Sequence, residues 1–422
     1  MPADNNFQPE PYARANPGER VAYRAISPSA PPGSVAWLDE MARLGRQMAD
    51  AGVRGVVFVH GSHLGADLFG MQRLDQVGGL KRGYSRGISG LDALLALMRE
   101  ETNGLSKPPG GLAPPLSNDP ACAQQLDRQV GDACNFTAGS VERFATAVGR
   151  EAAKPIVCTR YLWSSEHHHL GRALAACRLL AHCAALCREQ ELGPGDRLLI
   201  QAHGHTGPAV ALLSNLLAPD ESPGRDAVLT ILHDYLEQTG SPERGLMPEI
   251  RTALAGGKPL NGVALDVATY GAPLRYGWDT GGIGKLLHVV NHRPLRTDGK
   301  PWLAKMDLPQ ITFEMPIAWG GDYVQQLTVN GSDAMPTTPE AQAANKALWE
   351  ILEGVEGFER WLECARRTVR CPSDGLCLLV DYKDGGTAEA NDPRAHVYGH
   401  AAYTREAHLL FNTTELVRTL YA

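Results

Sequence analysis

The sequence predicts an α/β fold: a mostly parallel central sheet with helices on both faces. Three observations predict it. Short β-branched runs alternate with helical periodicity from end to end. Runs such as Val56-Val57-Phe58-Val59 are apolar throughout, as strands buried on both faces are. Several runs stop at a turn rich in glycine or histidine, with a helical pattern following soon after. The composition agrees. Of 422 residues, 43% are hydrophobic and 21% charged, which excludes a disordered or collagen-like chain. Forty Lys and Arg against 47 Asp and Glu give a net charge of −7, with no basic stripe, so nucleic acid is not the expected partner.

Each element follows in order. Residues 1–18 form a polar, proline-rich tail without the apolar stretch of a signal peptide, and 19–422 read as one domain. A first strand is predicted over 20–26. Trp37, Leu38, Met41, Leu44 and Met48 recur at helical spacing. The strand at 56–59 ends in His60-Gly61-Ser62-His63. A helical pattern covers 91–98, and the Pro/Gly-rich segment at 103–120 reads as a long loop. A short helix at 140–150, a strand within 155–163 and a long apolar helix over 169–187 follow, with Ser164 or Ser165 as its cap and Glu166 in its first turn. The strand at 196–202 runs into His203-Gly204-His205-Thr206-Gly207 and a helix at 208–217. One helical excursion is expected over 226–255, then strands at 263–270 and 286–291. Helices at 339–352 and 357–366, a strand at 376–381 and a final helix at 404–421 complete the chain. Insertions around 103–135 and 294–335 are the lid or cap candidates.

Several features set the compartment and the site. No run reaches the roughly 18 apolar residues of a membrane helix. Nine cysteines without a CxxC pair suit a cytoplasmic protein with reduced thiols; Cys177, Cys183 and Cys187 read as helix packing, and a Cys122–Cys134 pair is the alternative for an exported chain. Ten of the fourteen histidines fall in or beside turns at strand ends or in His167-His168-His169, and ligands of open α/β sheets bind at the carboxyl edge. Adjacent helical residues diverge by about 100°, so the three consecutive histidines do not share one ion, and no metal or other cofactor is expected.

Several motifs together resemble the α/β-hydrolase superfamily, lipase/esterase branch. Val56-Val-Phe-Val-His-Gly-Ser resembles its oxyanion strand and loop, and Leu198-Leu-Ile-Gln-Ala-His-Gly-His-Thr-Gly its nucleophile elbow. Val267-Ala-Thr-Tyr-Gly-Ala-Pro resembles the strand after the elbow. Gly321-Asp322-Tyr323-Val324 is similar to the acid loop, and Gly399-His400-Ala-Ala-Tyr403 to the histidine loop. The resemblance spans most of 50–422. It implies a carboxylic ester hydrolase acting on a small-molecule, lipid or polyester substrate, with Asp322 as acid and His400 as base. Asp381 and His396 are the alternatives. Backbone N–H groups of Ser62 and His205 would form the oxyanion hole, and His63, His203, Tyr276 and Trp278 would line the substrate.

The departure is at the elbow. The preferred register puts Gly204 where the nucleophile belongs; the alternative register puts His205 there. Glycine carries no nucleophilic atom, so the chain reads as an inactivated or substrate-trapping form. A binding protein on this scaffold, without catalysis, is the first alternative. A histidine-rich, metal-dependent hydrolase is the second.

Overall fold

The computed structural model describes residues 22–27, 29–61, 120–219, 223–292, 321–326, 328–336, 338–366, 369–383 and 396–422. The expected helix at 91–98, the polar tail, most of the 103–135 and 294–335 insertions, and the site candidates Ser62 and His63 lie outside these residues.

Seven strands form a single parallel sheet. They are β1 (Ala22–Ala25), β2 (Val53–Val59), β3 (Val157–Tyr161), β4 (Arg197–His203), β5 (Ala264–Tyr270), β6 (Lys285–Asn291) and β7 (Leu376–Asp381), in the order β1-β7-β6-β5-β4-β2-β3. Alternation within β2 shows why both faces are apolar. Val57 and Val59 join the core on one side, while Val56 and Phe58 join the core on the other.

Helices cover the two faces. On one lie α1 (Val35–Asp50), α3 (Ala138–Gly149) and α11 (Leu409–Leu420). On the other lie α4 (His169–Glu189), α5 (Thr206–Leu216), α6 (Pro223–Gln238), α7 (Leu246–Ala255) and α9 (Pro339–Leu352). α2 (Pro120–Val130) precedes α3, α8 (Tyr323–Gln326) is one short turn, and α10 (Gly354–Arg366) follows α9. Ser34, Thr137 and Thr338 cap α1, α3 and α9 by accepting from the backbone three residues on. α4 is long and apolar enough to cross a membrane by composition, yet it is mostly buried inside the fold. Its residues Cys177, Cys183 and Cys187 are buried thiols.

The structure changes four details. His168, not a serine, caps α4: its Nδ1 accepts from Gly171 N at 2.8 Å. The excursion at 226–255 is two helices, because Gly240 has positive φ and Pro242 follows, and neither continues a helix. The final helix starts at Leu409, after two 3₁₀ turns. Within the expected 103–135 insertion, residues 120–130 form a helix.

The strand order places the site. From β2 the chain moves outward to β3, then crosses back to β4 and proceeds through β5, β6 and β7. The direction reverses between β2 and β4, and the crevice beyond the carboxyl ends of two such strands is where ligands lodge.

Candidate active site

β4 ends at His203, and Gly204 turns the chain at φ +52° directly into α5. That left-handed conformation costs a side-chain-bearing residue roughly 1–2 kcal/mol, which glycine avoids. The turn is anchored by Gly204 N donating to Tyr270 O at 2.8 Å, and by Gly207 N donating to Gly204 O at 2.9 Å. The Thr206 hydroxyl donates to His60 O at 2.6 Å and accepts from Trp163 Nε1 at 2.9 Å. Trp163 N donates to His60 Nε2 at 3.1 Å. The loops after β2, β3 and β4 are thereby sewn together.

Above this turn stands His400. A Cβ built on Gly204 would lie 2.4 Å from His400 Nε2. On the opposite side of the ring, Nδ1 donates to Asp322 Oδ2 at 2.7 Å. This bond fixes the tautomer, leaving a lone pair on the nitrogen that faces position 204. Asp322 is fully buried and held from several directions. Its Oδ1 accepts from Gln325 N at 2.9 Å, and its Oδ2 also accepts from the Tyr403 hydroxyl at 3.0 Å. The Tyr403 oxygen in turn accepts from Asn291 N at 2.7 Å. Behind the loop, Arg370 donates to Asn291 O and Asp322 O at 2.8 and 3.2 Å.

His203 packs beneath His400, with ring centroids 4.4 Å apart. Its Nε2 donates to His400 O at 2.9 Å. Its Nδ1 is buried and has no hydrogen-bond partner among the described residues. Burial, and then the neighbouring His400, holds the His203 ring well below the usual histidine range.

Sequence reasoning missed Cys134. It sits at φ +58°, and its carbonyl accepts from Gly61 N at 3.1 Å. Its Sγ lies within 4.8 Å of a ring nitrogen of His203 and one of His400. The turn that carries it is fastened to the histidine loop by Asp132, which accepts from Arg405 at 2.9 Å and from Glu406 N at 3.2 Å. Thr404 Oγ1 adds a bond to Asp132 O at 2.6 Å. Burial pushes the Cys134 thiol well up. No motif surrounds Cys134, and its partners are far away in sequence, so no local signal could have found it. Arg370 was missed for the same reason.

The structure thus brings Gly204, Asp322, His400 and His203 together. The alternatives lie elsewhere or play other parts. Asp381 accepts from Lys383 N at 3.1 Å and from Tyr23 on the edge strand at 3.5 Å. His396 begins the 3₁₀ turn before His400, and its carbonyl accepts from Ala401 N. His205 follows Gly204, with its backbone at the N-terminus of α5. Its ring stacks between Trp163 and His167, and its nitrogens bond Asn330 O at 2.7 Å and Glu166 O at 3.2 Å.

Tyr276 and Trp278 belong to the core packed under α4 and α5. Trp278 meets His288 edge to face. Tyr276 bonds His169 Nδ1 at 2.7 Å inside a buried ion cluster. There Arg172 donates to Asp333 at 2.5 Å, and Arg275 pairs with both Asp333 and Glu353.

Compared with protein-family models, with curated proteins and with solved structures, the chain matches none.

Proposed function

We propose that this chain is built on the plan of a carboxylic ester hydrolase of the lipase/esterase kind, with glycine where the attacking oxygen would stand. One observation carries the reading. His400 Nε2 is 2.4 Å from the point where a Cβ of residue 204 would begin, while its Nδ1 is 2.7 Å from Asp322 Oδ2. A hydroxyl on residue 204 would find a base already oriented by a buried carboxylate. The base would take the hydroxyl proton as oxygen attacks the ester carbonyl, then return it to the leaving alcohol. The residue after the nucleophile, at the start of α5, is where one oxyanion donor is expected. With glycine at 204, no acyl-enzyme forms there.

The same contact also favours a second reading, a binding protein on this scaffold. An imidazole this close to Gly204 leaves no room for a Cβ, so the turn is packed for glycine. Restoring a side chain requires the ring to withdraw by about 1 Å to reach ordinary contact.

Gly204→Ser separates the two. On the hydrolase reading, the folded variant turns over p-nitrophenyl acetate and is labelled at residue 204 by a fluorophosphonate, and the parent chain does neither at that position. A variant with the parent's circular dichroism that stays unlabelled and inactive overturns that reading and leaves the binding one.

A further inference from the structure

We propose that Cys134, His203 and His400 form a site for a thiophilic divalent cation of the zinc class. A sulfur and two imidazole nitrogens, all within 4.8 Å of one another, come from three separate segments. The three residues are 1%, 0% and 2% exposed. One thiolate and two imidazoles are the ligand types that zinc takes, and three protein donors with a fourth position left over is the count of an open rather than a closed site. The donors of one tetrahedral ion lie roughly 3.3–3.6 Å apart, so closure by about 1 Å suffices.

Three independent features prepare the donors. First, each imidazole is fixed through one of its nitrogens, which leaves the other to serve as the donor. His400 Nδ1 donates to Asp322 Oδ2 at 2.7 Å, and His203 Nε2 donates to His400 O at 2.9 Å. Metal-binding histidines are held in this way, by a carboxylate or a carbonyl at the second nitrogen. Second, the remaining nitrogen of His203 is a buried polar atom without a hydrogen-bond partner among the described residues, an arrangement that costs free energy unless something accepts its lone pair. Third, both remaining nitrogens are kept uncovered by glycine. A Cβ on Gly61 would lie 2.3 Å from His203 Nδ1, and one on Gly204 would lie 2.4 Å from His400 Nε2. Any other residue at either position would press on a donor.

A second group of similar compactness shows what a non-site looks like. His169, Asp333 and Glu353 also bring donor atoms within 4.8 Å. There the guanidinium groups of Arg172 and Arg275 already occupy the carboxylates, and a cation would meet two positive charges. Behind the Cys134 cluster lies a carboxylate instead, that of Asp322, paired with His400.

The inference does not rest on the hydrolase reading, because all three donors are present in the chain as it stands, with glycine at 204. The full chain is expressed in zinc-supplemented medium, gel-filtered and assayed for metal. It is then stripped, loaded with cobalt(II) and examined by absorption spectroscopy. A single retained equivalent of zinc and a thiolate-to-cobalt charge-transfer band are expected. Cys134→Ala should abolish the band and lower metal affinity ~10-fold or more, with Gly61→Ala lowering it in the same direction and Cys158→Ala leaving both unchanged. Absence of retained metal, absence of the sulfur band in the parent chain, or a band that survives Cys134→Ala overturns the proposal. The parent's own cobalt spectrum decides the matter if the Cys134 variant fails to fold. Activity of Gly204→Ser plays no part in this outcome.

Discussion

Two regions of this protein bury histidine beside carboxylate, and they are finished differently. Around His169 every charge has a partner. Arg172 and Arg275 hold Asp333, Arg275 also holds Glu353, and Arg275 lies 3.9 Å over the Trp361 ring. The cluster ties the start of α4 to the 331–333 backbone, since Arg172 and Arg275 also donate to Ser332 O and Gly331 O. Around His400 the polar groups are oriented but not used up. Asp322 receives three donors, yet the chain leaves a lone pair beside each of two glycines. The first arrangement is a fastening, in which opposite charges hold one another and the guanidinium groups hold two backbone carbonyls. The second is prepared for something the chain does not contain. The contrast explains why burial, perturbed titration or a buried polar atom without a hydrogen-bond partner among the described residues does not by itself mark a site: both regions have all three, Arg172 Nε included, and what separates them is that guanidinium groups already hold the carboxylates beside His169.

The largest effect should come from removing the orienting carboxylate. In the Gly204→Ser background, Asp322→Asn is expected to cut the rate of fluorophosphonate labelling by about 10³–10⁴-fold while the protein stays folded, because the imidazole then loses its tautomer. A loss under tenfold would show that Asp322 only packs. Asp333→Ala probes the other region. It leaves two fully buried guanidinium groups short of a partner and should cost about 3–5 kcal/mol in urea unfolding. Metal content and labelling, by contrast, should hold in conditions where the variant is native. If instead Asp333→Ala changed labelling as much as stability, the two regions would not be separable.

Acid sharpens the same comparison. Burial holds His169 down from 6.5 to about 4, against the pull of Asp333. A ring kept neutral in the fold binds fewer protons than in the unfolded chain between those values. Its contribution is therefore complete above about pH 6.5 and disappears as pH falls toward 4, a loss of up to about 3 kcal/mol. His169→Asn should flatten that part of the stability profile relative to the parent. A parallel profile in the variant would place the acid sensitivity elsewhere.

The central strands were legible in the sequence because they are buried on both faces and carry a strong apolar signal, whereas the edge strands β1 and β3 are only partly buried; all seven nevertheless lie where the predicted strands lie. The polar half was legible only where a backbone requirement left a mark. The turn at 203–207 is readable because a sharp strand-to-helix bend demands glycine, and Asp322 and His400 were singled out by short motifs around them. Cys134 and Arg370 leave no such mark. Their roles arise from contacts between segments far apart in sequence, and a lone cysteine or arginine looks the same there as anywhere. Tyr276 was expected to line a substrate cleft because it lies near a loop; nothing in its neighbourhood in sequence reveals Arg172 and His169, which place it in the ion cluster. The split of 226–255 was foreseeable from Gly240-Ser241-Pro242, where helix-breaking chemistry outweighs the apolar periodicity on either side.

The smallest expected effect is also the most direct probe of how the turn is packed. Gly204→Ala adds only a methyl group. At φ +52° the backbone penalty alone is about 1–2 kcal/mol. The methyl would also overlap His400, whose ring is backed by Asp322 and Tyr403 and has little freedom to give way. Chemical denaturation should therefore show a loss of about 2 kcal/mol or somewhat more. The low-field proton of the Asp322–His400 hydrogen bond should shift in the proton NMR spectrum as the ring moves. No destabilisation and an unmoved resonance would mean that the ring does not rest on the turn, and the cleft would then be open to a side chain at 204. An equal loss from alanine in the ion cluster, for example at Tyr276, would carry no comparable resonance shift, because there the packing is disturbed without touching the prepared lone pair.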